Sequence, residues 1–251
     1  EDYLNDNIFR ELVEHTITNQ SSIHLFGLTS NGGIHAHIDH LKKFLGQLKK
    51  AQVPKVFLHI ITDGRDTETD ASLSFIKEIY ETTKELNIGS IATICGRYYA
   101  MDRDQKWERT KYFYDLLVRG TGVKCININD SINACYHKQV TDEFLPPMII
   151  DNNATIKNND VVICFNYRND RIKQIFTALA DEQFGRFPTV KINNVLYYSF
   201  YDVEVPNVKP LFNDEIISNP LGVYLSKLGL TQARVAEGEK FPHVTYFFDG
   251  G

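Results

Sequence analysis

The sequence predicts an α/β fold in which a mostly parallel sheet is flanked by helices on both faces. Short apolar runs rich in β-branched and aromatic residues alternate with segments of helical period along most of the chain. The strand-like runs are apolar at nearly every position rather than at every second one. Continuous apolar strands are typical of parallel sheets that are covered on both faces.

The predicted elements follow one another in regular order between residues 22 and 200. Leu41, Leu45 and Leu48 lie at the spacing of one helix face, as do Ile76 and Ile79 further on. The predicted strands are 22–28, 56–61, 90–95, 161–165 and 195–200. The predicted helices are 38–51, 70–86, 105–118 and 169–179.

Two parts of the chain depart from this order. Residues 120–160 are rich in Asn and poor in helical pattern, so we expect an irregular excursion or a small added hairpin there. Residues 201–210 contain Pro and have the character of an extended connector. In the remaining tail we expect a helix at 221–228 and strands at 233–237 and 244–248. This tail is too short to build a core of its own, so it packs on the first domain or begins a second one.

Composition excludes several classes of protein. The 251 residues carry a formal net charge of -5, so no global field favours nucleic acid or an anionic membrane. No apolar run approaches the roughly 20 residues of a membrane helix, and the first residues lack the features of a signal peptide. The four cysteines lie far apart without a C-x-x-C motif, which favours buried free thiols. We therefore expect a cytoplasmic protein.

Polar turns follow the predicted strands at the edge where open α/β sheets bind ligands. Five arginines lie in these turns: Arg65, Arg97, Arg103, Arg168 and Arg171. In one crevice they would repel one another strongly unless anions lay among them. Guanidinium groups match phosphate and carboxylate in bidentate geometry, so we predict a ligand that carries both. The alternative is that each arginine pairs with a neighbouring aspartate on a solvated rim.

Asp66 follows an arginine in the turn that begins at Asp63 and Gly64. A carboxylate among cations keeps a low pKa and can exchange a proton with a substrate hydroxyl. Asp in such a turn is as often a helix cap or an ion-pair partner. The spacing alone leaves both roles open.

The stretch from residue 35 to residue 40 contains His35, His37, Asp39 and His40, which is a spacing used by two-zinc hydrolases. A two-zinc site needs further ligands, and the remaining histidines lie in predicted strands or without a glycine turn beside them. His37 and His40 can instead occupy a solvated helix flank. His35 lies in the preceding turn and is the histidine best placed to touch a ligand.

Five motifs carry a resemblance to a known family, in that family's order and over about residues 22–251. They are SNGGIHAHIDH from Ser30, TDGRDT from Thr62, CGRYYAMDRDQKWER from Cys95, FNYRNDR from Phe165 and EKFPHVTYFFDGG from Glu239. The sequence resembles the cofactor-independent phosphoglycerate mutases. Asn31 and Pro242 depart from that family's usual residues, Asp and Ala, without touching the arginines or Asp66.

The resemblance implies a glycolytic isomerase that interconverts 3-phosphoglycerate and 2-phosphoglycerate through a phosphoserine. It implies two manganese or magnesium ions and no 2,3-bisphosphoglycerate. It also implies a metal-bearing domain of the alkaline phosphatase superfamily with an inserted phosphotransferase domain. On this basis residues 1–205 are the phosphotransferase domain, and residues 206–251 are a linker and the incomplete start of the phosphatase-like domain.

The resemblance also assigns site residues. By motif match, the substrate-binding positions are His35, Arg65, Asp66, Arg97, Arg103, Arg168, Arg171 and Lys240. Asp66 matches the residue proposed to move a proton on the glycerate hydroxyls. The family's serine nucleophile and metal ligands have no counterpart in this sequence, so we expect the chain alone to be inactive and to hold no metal site. We expect a monomer that binds phosphoglycerate but neither nucleic acid nor membrane. A non-catalytic anion-binding domain is the alternative.

Overall fold

The computed structural model describes residues 7–212, 217–238 and 240–250. The strands of the described part are β1 (Ile23–Leu28), β2 (Val56–Thr62), β3 (Ser90–Gly96), β4 (Val123–Lys124), β5 (Met148–Ile149), β6 (Val161–Cys164), β7 (Leu196–Ser199) and β8 (Val208–Pro210). They form one sheet in the order β4-β5-β3-β2-β1-β6-β7-β8. Neighbouring strands run parallel, except that β5 is antiparallel to β3.

The α-helices of the same described ranges are α1 (Asn7–Asn19), α2 (Ile38–Lys50), α3 (Ser72–Leu86), α4 (Arg97–Ala100), α5 (Trp107–Arg119), α6 (Ile128–Tyr136), α7 (Lys173–Ala180), α8 (Leu221–Lys227) and α9 (Phe241–Val244). Short 3-10 turns lie at Asp142–Phe144 and Phe247–Asp249. Among the described residues, the helices are all too short or too polar to cross a membrane.

Helices cover both faces of the sheet, and aromatic pairs show which helix lies where. Phe26 of β1 packs against Phe113 of α5 and Phe176 of α7, with ring centroids 5.9 and 5.3 Å apart. Phe44 of α2 packs instead against Phe9 of α1, at 5.9 Å. All five rings are buried, as are all six residues of β1. The predicted α/β class with a mostly parallel, doubly covered sheet is confirmed.

The winding of the sheet reverses between β1 and β6. From β1 the chain passes to β2 and β3 on one side, whereas from β6 it passes to β7 and β8 on the other. The two strands pair in parallel, with Phe26 beside Cys164, so their carboxyl ends lie side by side. Ligands of open α/β sheets bind at such a switch point.

The predicted central elements are confirmed, with differences at their ends. The helix predicted from residue 169 begins at Lys173, because residues 169–172 form a turn in which Ile172 N donates to Asn169 O. Helix α1 was not predicted, although Phe9, Leu12 and Thr16 bury one of its faces. Within 120–160 the hairpin option is wrong, because β4 runs parallel to β5, and the helix α6 also lies there.

The chain divides into two compact units, residues 1–212 and 213–251. Residues 208–210, predicted as part of a connector, form the edge strand β8, and the N–H groups of Leu211 and Phe212 donate to Ser199 O and Phe200 O. In the second unit the predicted helix at 221–228 is confirmed as α8. The strands predicted at 233–237 and 244–248 are wrong: the first stretch has no regular structure, and the second contains helical turns in which Asp249 N donates to Thr245 O. The assignment of residues 206–251 to a second domain stays a prediction.

Candidate anion-binding site at the carboxyl ends of the strands

The candidate site lies where the turns after β1, β2, β3 and β6 meet. Backbone hydrogen bonds hold the first and last of these turns together, because Tyr167 N and Arg168 N both donate to His35 O, at 3.0 and 3.2 Å. The side chain of Asn166 adds a third link by accepting from Leu28 N at 2.8 Å. The turn after β1 is joined to β2 by Thr29 N, which donates to Ile61 O at 2.8 Å. The loops that carry the arginines are thus positioned by their own backbone.

Asp63, the residue directly after β2, organises one half of the site. Its side chain is 1% exposed, and its Oδ2 accepts from Ser30 Oγ at 2.6 Å. Its Oδ1 accepts from the backbone N–H groups of Arg65 and Asp66, at 3.2 and 3.0 Å. Burial works to raise the pKa of Asp63, but these hydrogen bonds and the Arg97 charge hold it below its usual range. Asp63 is therefore an ionised anchor for three of the turns.

Arg97 is the buried cation of this half, with a side chain 4% exposed. Its Nη1 lies 2.7 Å from Asp63 Oδ1 and 2.7 Å from Asp66 Oδ2. Burial opposes its charge, but the pKa of Arg97 is raised by its hydrogen bonds to Asp66 and Asp63 and by their charges. Asp66 is thus an ion-pair partner in this structure, which is one of the two roles that the spacing left open. Its role in proton exchange stays a prediction.

Asp170 organises the other half of the site. Its Oδ2 accepts from Arg103 Nη1 at 2.7 Å and from Arg168 Nη2 at 3.1 Å, and its Oδ1 lies 2.8 Å from Arg168 Nε. Burial works to raise the pKa of Asp170, yet the charge of Arg168, the Arg103 hydrogen bond and His35 lower it below its usual range. One carboxylate therefore holds two of the predicted arginines in place.

His35 lies between the two halves. It is 3% exposed, and its Nδ1 lies 3.6 Å from Asp170 Oδ1. Burial, followed by the Arg97 charge, lowers the pKa of His35 from its ordinary value of 6.5 to about 4. The ring is therefore neutral at pH 7.

Arg65 and Arg171 complete the cationic group. Arg65 is 50% exposed, with Nη1 3.5 Å from Glu143 Oε1, and Arg171 Nη1 donates to Met101 O at 3.4 Å. Burial and the neighbouring charges of Arg103, Arg97 and Arg65 lower the pKa of Arg171, as expected for cations that share one region.

The site is rich in positive charge. Its five guanidinium groups lie with three aspartates and Glu143 among the residues that the structure describes. The alternative that the arginines pair with neighbouring aspartates describes Arg97, Arg103 and Arg168, but those pairs are gathered in one site rather than scattered along a rim. That arrangement suits an anionic ligand.

The remaining predicted residues are Lys240, His37, Asp39 and His40. Lys240 directly precedes α9 in the second unit, so its place beside the arginines stays a prediction. His37 caps α2, accepting at Nδ1 from Asp39 N at 3.2 Å, and His40 packs on Tyr167 with ring centroids 5.6 Å apart. No three His, Cys, Asp or Glu side chains among the described residues could together hold a metal ion. The two-zinc alternative thus finds no site there, and the metal ions implied by the resemblance do not fit those residues either.

Sequence reasoning did not assign Asp63, Asp170 or Ser30 to the site. Each pairs with a residue far away in the chain: Asp63 with Arg97, 34 residues on, and Asp170 with Arg103, 67 residues back. For Asp63 the sequence offered one signal, an Asp-Gly pair in the first positions after a predicted buried strand. In the structure that glycine, Gly64, has φ +73°. A carboxylate at such a position must find cations or N–H donors, because burial alone disfavours its charge.

The chain is similar to known proteins over its whole length. Residues 1–203 match the family model described as "BPG-independent PGAM N-terminus". The 2,3-bisphosphoglycerate-independent phosphoglycerate mutase of Clostridioides difficile (strain 630) is 41% identical over 255 residues, covering 100% of this chain and 50% of that protein. The enzyme of that name from Pyropia yezoensis is 42% identical over 254 residues, covering 99% of this chain and 47% of that protein.

The likeness extends to a solved structure. A crystal structure of Leishmania mexicana phosphoglycerate mutase, determined at low cobalt concentration, matches with a TM-score of 0.83 at 28% identity. The match covers 99% of this chain and 48% of that one. The chain thus spans about half the length of the curated relatives it matches.

Proposed function

Because the chain belongs to the family of BPG-independent phosphoglycerate mutases, we propose that its cationic site holds the glycerate and phosphoryl groups while 3-phosphoglycerate and 2-phosphoglycerate are interconverted. The observation that carries this proposal is the gathering of five arginines at the switch point of the sheet. A phosphoglycerate carries a phosphate and a carboxylate on three carbons. Both groups match guanidinium forks.

The proposed roles follow from how firmly each side chain is held. Arg97 is buried and fixed by Asp63, so it supplies a rigid positive charge. Arg103 and Arg168 are about one-third exposed and share Asp170, so they can turn part of their N–H groups to a ligand. Asp66, at 22% exposure, exchanges the proton of a glycerate hydroxyl. Binding of this kind contributes to catalysis by positioning and by charge stabilisation in a closed site.

The proposal for the whole protein includes a phosphoserine, manganese or magnesium ions, and action as a cytoplasmic monomer in glycolysis. Lys240 joins the substrate contacts in that proposal. These parts of the proposal are supported by membership of the family rather than by the geometry described above.

Calorimetric titration of the chain with 3-phosphoglycerate tests the binding role. We expect one site per chain, with affinity reduced about tenfold or more by Arg103→Ala, because charge-assisted hydrogen bonds contribute about 1.5–3 kcal/mol. Arg186→Ala is the matched control, since that arginine is exposed in a loop away from the site. Equal affinity for the wild type and Arg103→Ala would contradict the proposal.

Turnover is tested in a chimaera in which this chain replaces the matching half of the Clostridioides difficile relative. We expect mutase activity from the chimaera and its loss in the Arg97→Ala variant. Binding of 3-phosphoglycerate without turnover in a folded chimaera would favour the non-catalytic anion-binding domain instead.

A further inference from the structure

Two buried polar atoms in the site face each other without a hydrogen bond. His35 Nδ1 and Asp170 Oδ1 are both buried and lie 3.6 Å apart. His35 Nδ1 lacks a hydrogen-bond partner among the described residues, whereas Asp170 Oδ1 is ion-paired with Arg168 Nε at 2.8 Å. An unpaired buried polar group destabilises the folded state. A shift of about 0.5 Å would bring the two atoms within the usual N–H···O distance.

Both residues are held in this orientation by other contacts. The carbonyl oxygen of His35 accepts from Tyr167 N and Arg168 N, which ties its backbone to the turn that carries Asp170. Asp170 is held at Oδ2 by Arg103 and Arg168 and at Oδ1 by Arg168 Nε, and Oδ1 is the oxygen that faces the imidazole. The ring and the carboxylate are therefore positioned as a pair.

The chemistry of the pair determines where the single proton of the neutral ring lies. An ionised carboxylate accepts hydrogen bonds and donates none. A neutral imidazole carries one N–H, so only the form with hydrogen on Nδ1 places a donor rather than a lone pair against Asp170 Oδ1. We propose that Asp170 is a positioning residue that fixes His35 as the Nδ1–H tautomer and thereby makes Nε2 a hydrogen-bond acceptor for a hydroxyl of the ligand.

This assignment gives His35 a role that the arginines cannot fill. A lone pair on Nε2 accepts a hydrogen bond from a hydroxyl but is repelled by the lone pairs of phosphate and carboxylate oxygens. The arginines would hold the anionic groups while His35 recognises the hydroxyl group. The identity of the ligand as a phosphoglycerate rests on the proposed function, whereas the tautomer does not.

His37 provides an internal reference, because its neutral ring has the opposite tautomer. Its Nδ1 accepts from Asp39 N at 3.2 Å as the N-cap of α2, so its proton lies on Nε2 when the ring is neutral. Asp39 Oδ2 lies 3.5 Å from His37 Nδ1, close to the spacing of the buried pair, but both side chains are exposed by a third or more.

Long-range proton–nitrogen NMR spectra of the wild-type chain at pH 7 test the tautomer directly. We expect the Nδ1 signal of His35 at the shift of a protonated nitrogen and its Nε2 at the shift of an unprotonated one, with His37 reversed. A His35 proton on Nε2 in the wild type would overturn the inference, whatever any variant does.

Three variants separate Asp170 from a merely structural role. In Asp170→Asn the amide oxygen keeps the two donors of the Oδ2 position, Arg103 Nη1 and Arg168 Nη2, so the amide N–H faces His35 Nδ1 and the His35 proton moves to Nε2. Asp170→Glu keeps an acceptor and retains Nδ1–H. Asp39→Asn is the matched control and leaves His35 unchanged. An Asp170→Asn spectrum that still shows Nδ1–H would overturn the positioning role.

A ligand series tests the consequence for specificity. We expect the wild type to bind 3-phosphoglycerate about threefold to tenfold more tightly than 3-phosphooxypropionate, which lacks the hydroxyl, because one hydrogen bond contributes about 0.5–1.5 kcal/mol. In Asp170→Asn the protonated Nε2 binds anionic oxygens as readily, so the preference falls below about twofold on the same scale. If both ligands bind the wild type equally, the role of Nε2 is overturned. If neither binds while His35 carries Nδ1–H, the proposed function fails and the tautomer assignment stands.

Discussion

A buried guanidinium group must be neutralised by the protein before it can hold a ligand. Arg97 shows how this is done, since Asp63 and Asp66 both accept from its Nη1 at 2.7 Å. Breaking a buried ion pair by removing one partner leaves an uncompensated charge. The arginine turns could be predicted from the sequence, because cations at strand ends indicate an anion site. The pairing could not, because Asp63 and Asp66 lie in the turn after β2 whereas Arg97 follows β3.

Asp63→Asn tests this pairing. We expect the free energy of unfolding to fall by about 3–5 kcal/mol, because Arg97 stays buried with one carboxylate instead of two. Urea denaturation measures the change. Asp130→Asn is the control, an exposed aspartate of α6 for which we expect a change within about 0.5 kcal/mol. Equal effects of the two substitutions would contradict the account.

The histidines predict how stability depends on pH. Burial lowers the pKa of His35 to about 4 and holds that of His59 well below 6.5, so both are neutral in the folded chain. Below pH 6.5 the unfolded chain binds more protons than the folded one, so stability falls as the pH drops from 6.5 toward 4. The slope is about 1.4 kcal/mol per pH unit for each such histidine. Urea midpoints at several pH values measure it, and His35→Gln must reduce the slope if the assignment is right.

At the scale of elements, a buried hydrogen-bonded chain crosses three neighbouring strands. His24 Nε2 contacts Asp160 Oδ2 at 3.1 Å, and His24 Nδ1 contacts His59 Nε2 at 2.9 Å. His59 Nδ1 then contacts Thr93 Oγ1 at 2.9 Å. Because an ionised carboxylate only accepts, neutral rings place protons on both Nε2 atoms, and the Thr93 hydroxyl donates to His59. These residues fall inside apolar runs, so the sequence predicted their strands but not their contacts.

Thr93→Val removes the last donor of this chain at nearly constant volume. We expect a loss of about 1–3 kcal/mol in the free energy of unfolding, because His59 Nδ1 stays buried without a partner. Thr121→Val, at an exposed position, serves for comparison in the same denaturation experiment. No excess loss at position 93 would mean that the hydroxyl contributes nothing.

Gly96 shows why β3 ends where it does. A Cβ on this residue would lie 2.3 Å from Glu143 O and 2.7 Å from Leu145 N, so only glycine lets the two backbones approach. We expect Gly96→Ala to lower the free energy of unfolding by more than about 2 kcal/mol and to displace Arg97, its neighbour. Gly46→Ala in α2 has open space and should instead stabilise by up to about 1 kcal/mol. Thermal melts of both variants check the difference in sign.

The elements that sequence patterns failed to predict are those whose conformation depends on partners. The strands predicted at 233–237 and 244–248 have apolar residues in strand-like runs, but in the structure no sheet is present beside them within the described part of the second unit. β8 shows the reverse, since Val208–Pro210 has little strand character and forms a strand because β7 offers an open edge. In both cases the conformation depends on whether a partner strand is available, which the sequence of a single segment does not show.

At the scale of the whole molecule, an acidic chain carries a locally cationic site. The formal net charge is -5, whereas the site gathers five guanidinium groups in one place. Ligand attraction is therefore local and is screened by salt. We expect the affinity for 3-phosphoglycerate to fall about tenfold between about 0.05 and 0.5 M NaCl, where the Debye length shortens from above 10 Å to below 5 Å. Calorimetric titrations at several salt concentrations measure it, and a salt-independent affinity would contradict an electrostatic site.

The reversal of winding between β1 and β6 also determines when the site can form during synthesis of the chain. Leu28 N, at the end of β1, donates to the side chain of Asn166, which lies 138 residues later in the chain. A polypeptide emerging from the ribosome has made β1, β2 and β3 long before it contains Arg168 or Arg171. Contacts between such distant segments slow folding. During synthesis the edge of β1 that pairs with β6 therefore has no partner until residue 164 has been added, and the group of arginines is complete only after residues 165–172 have been translated.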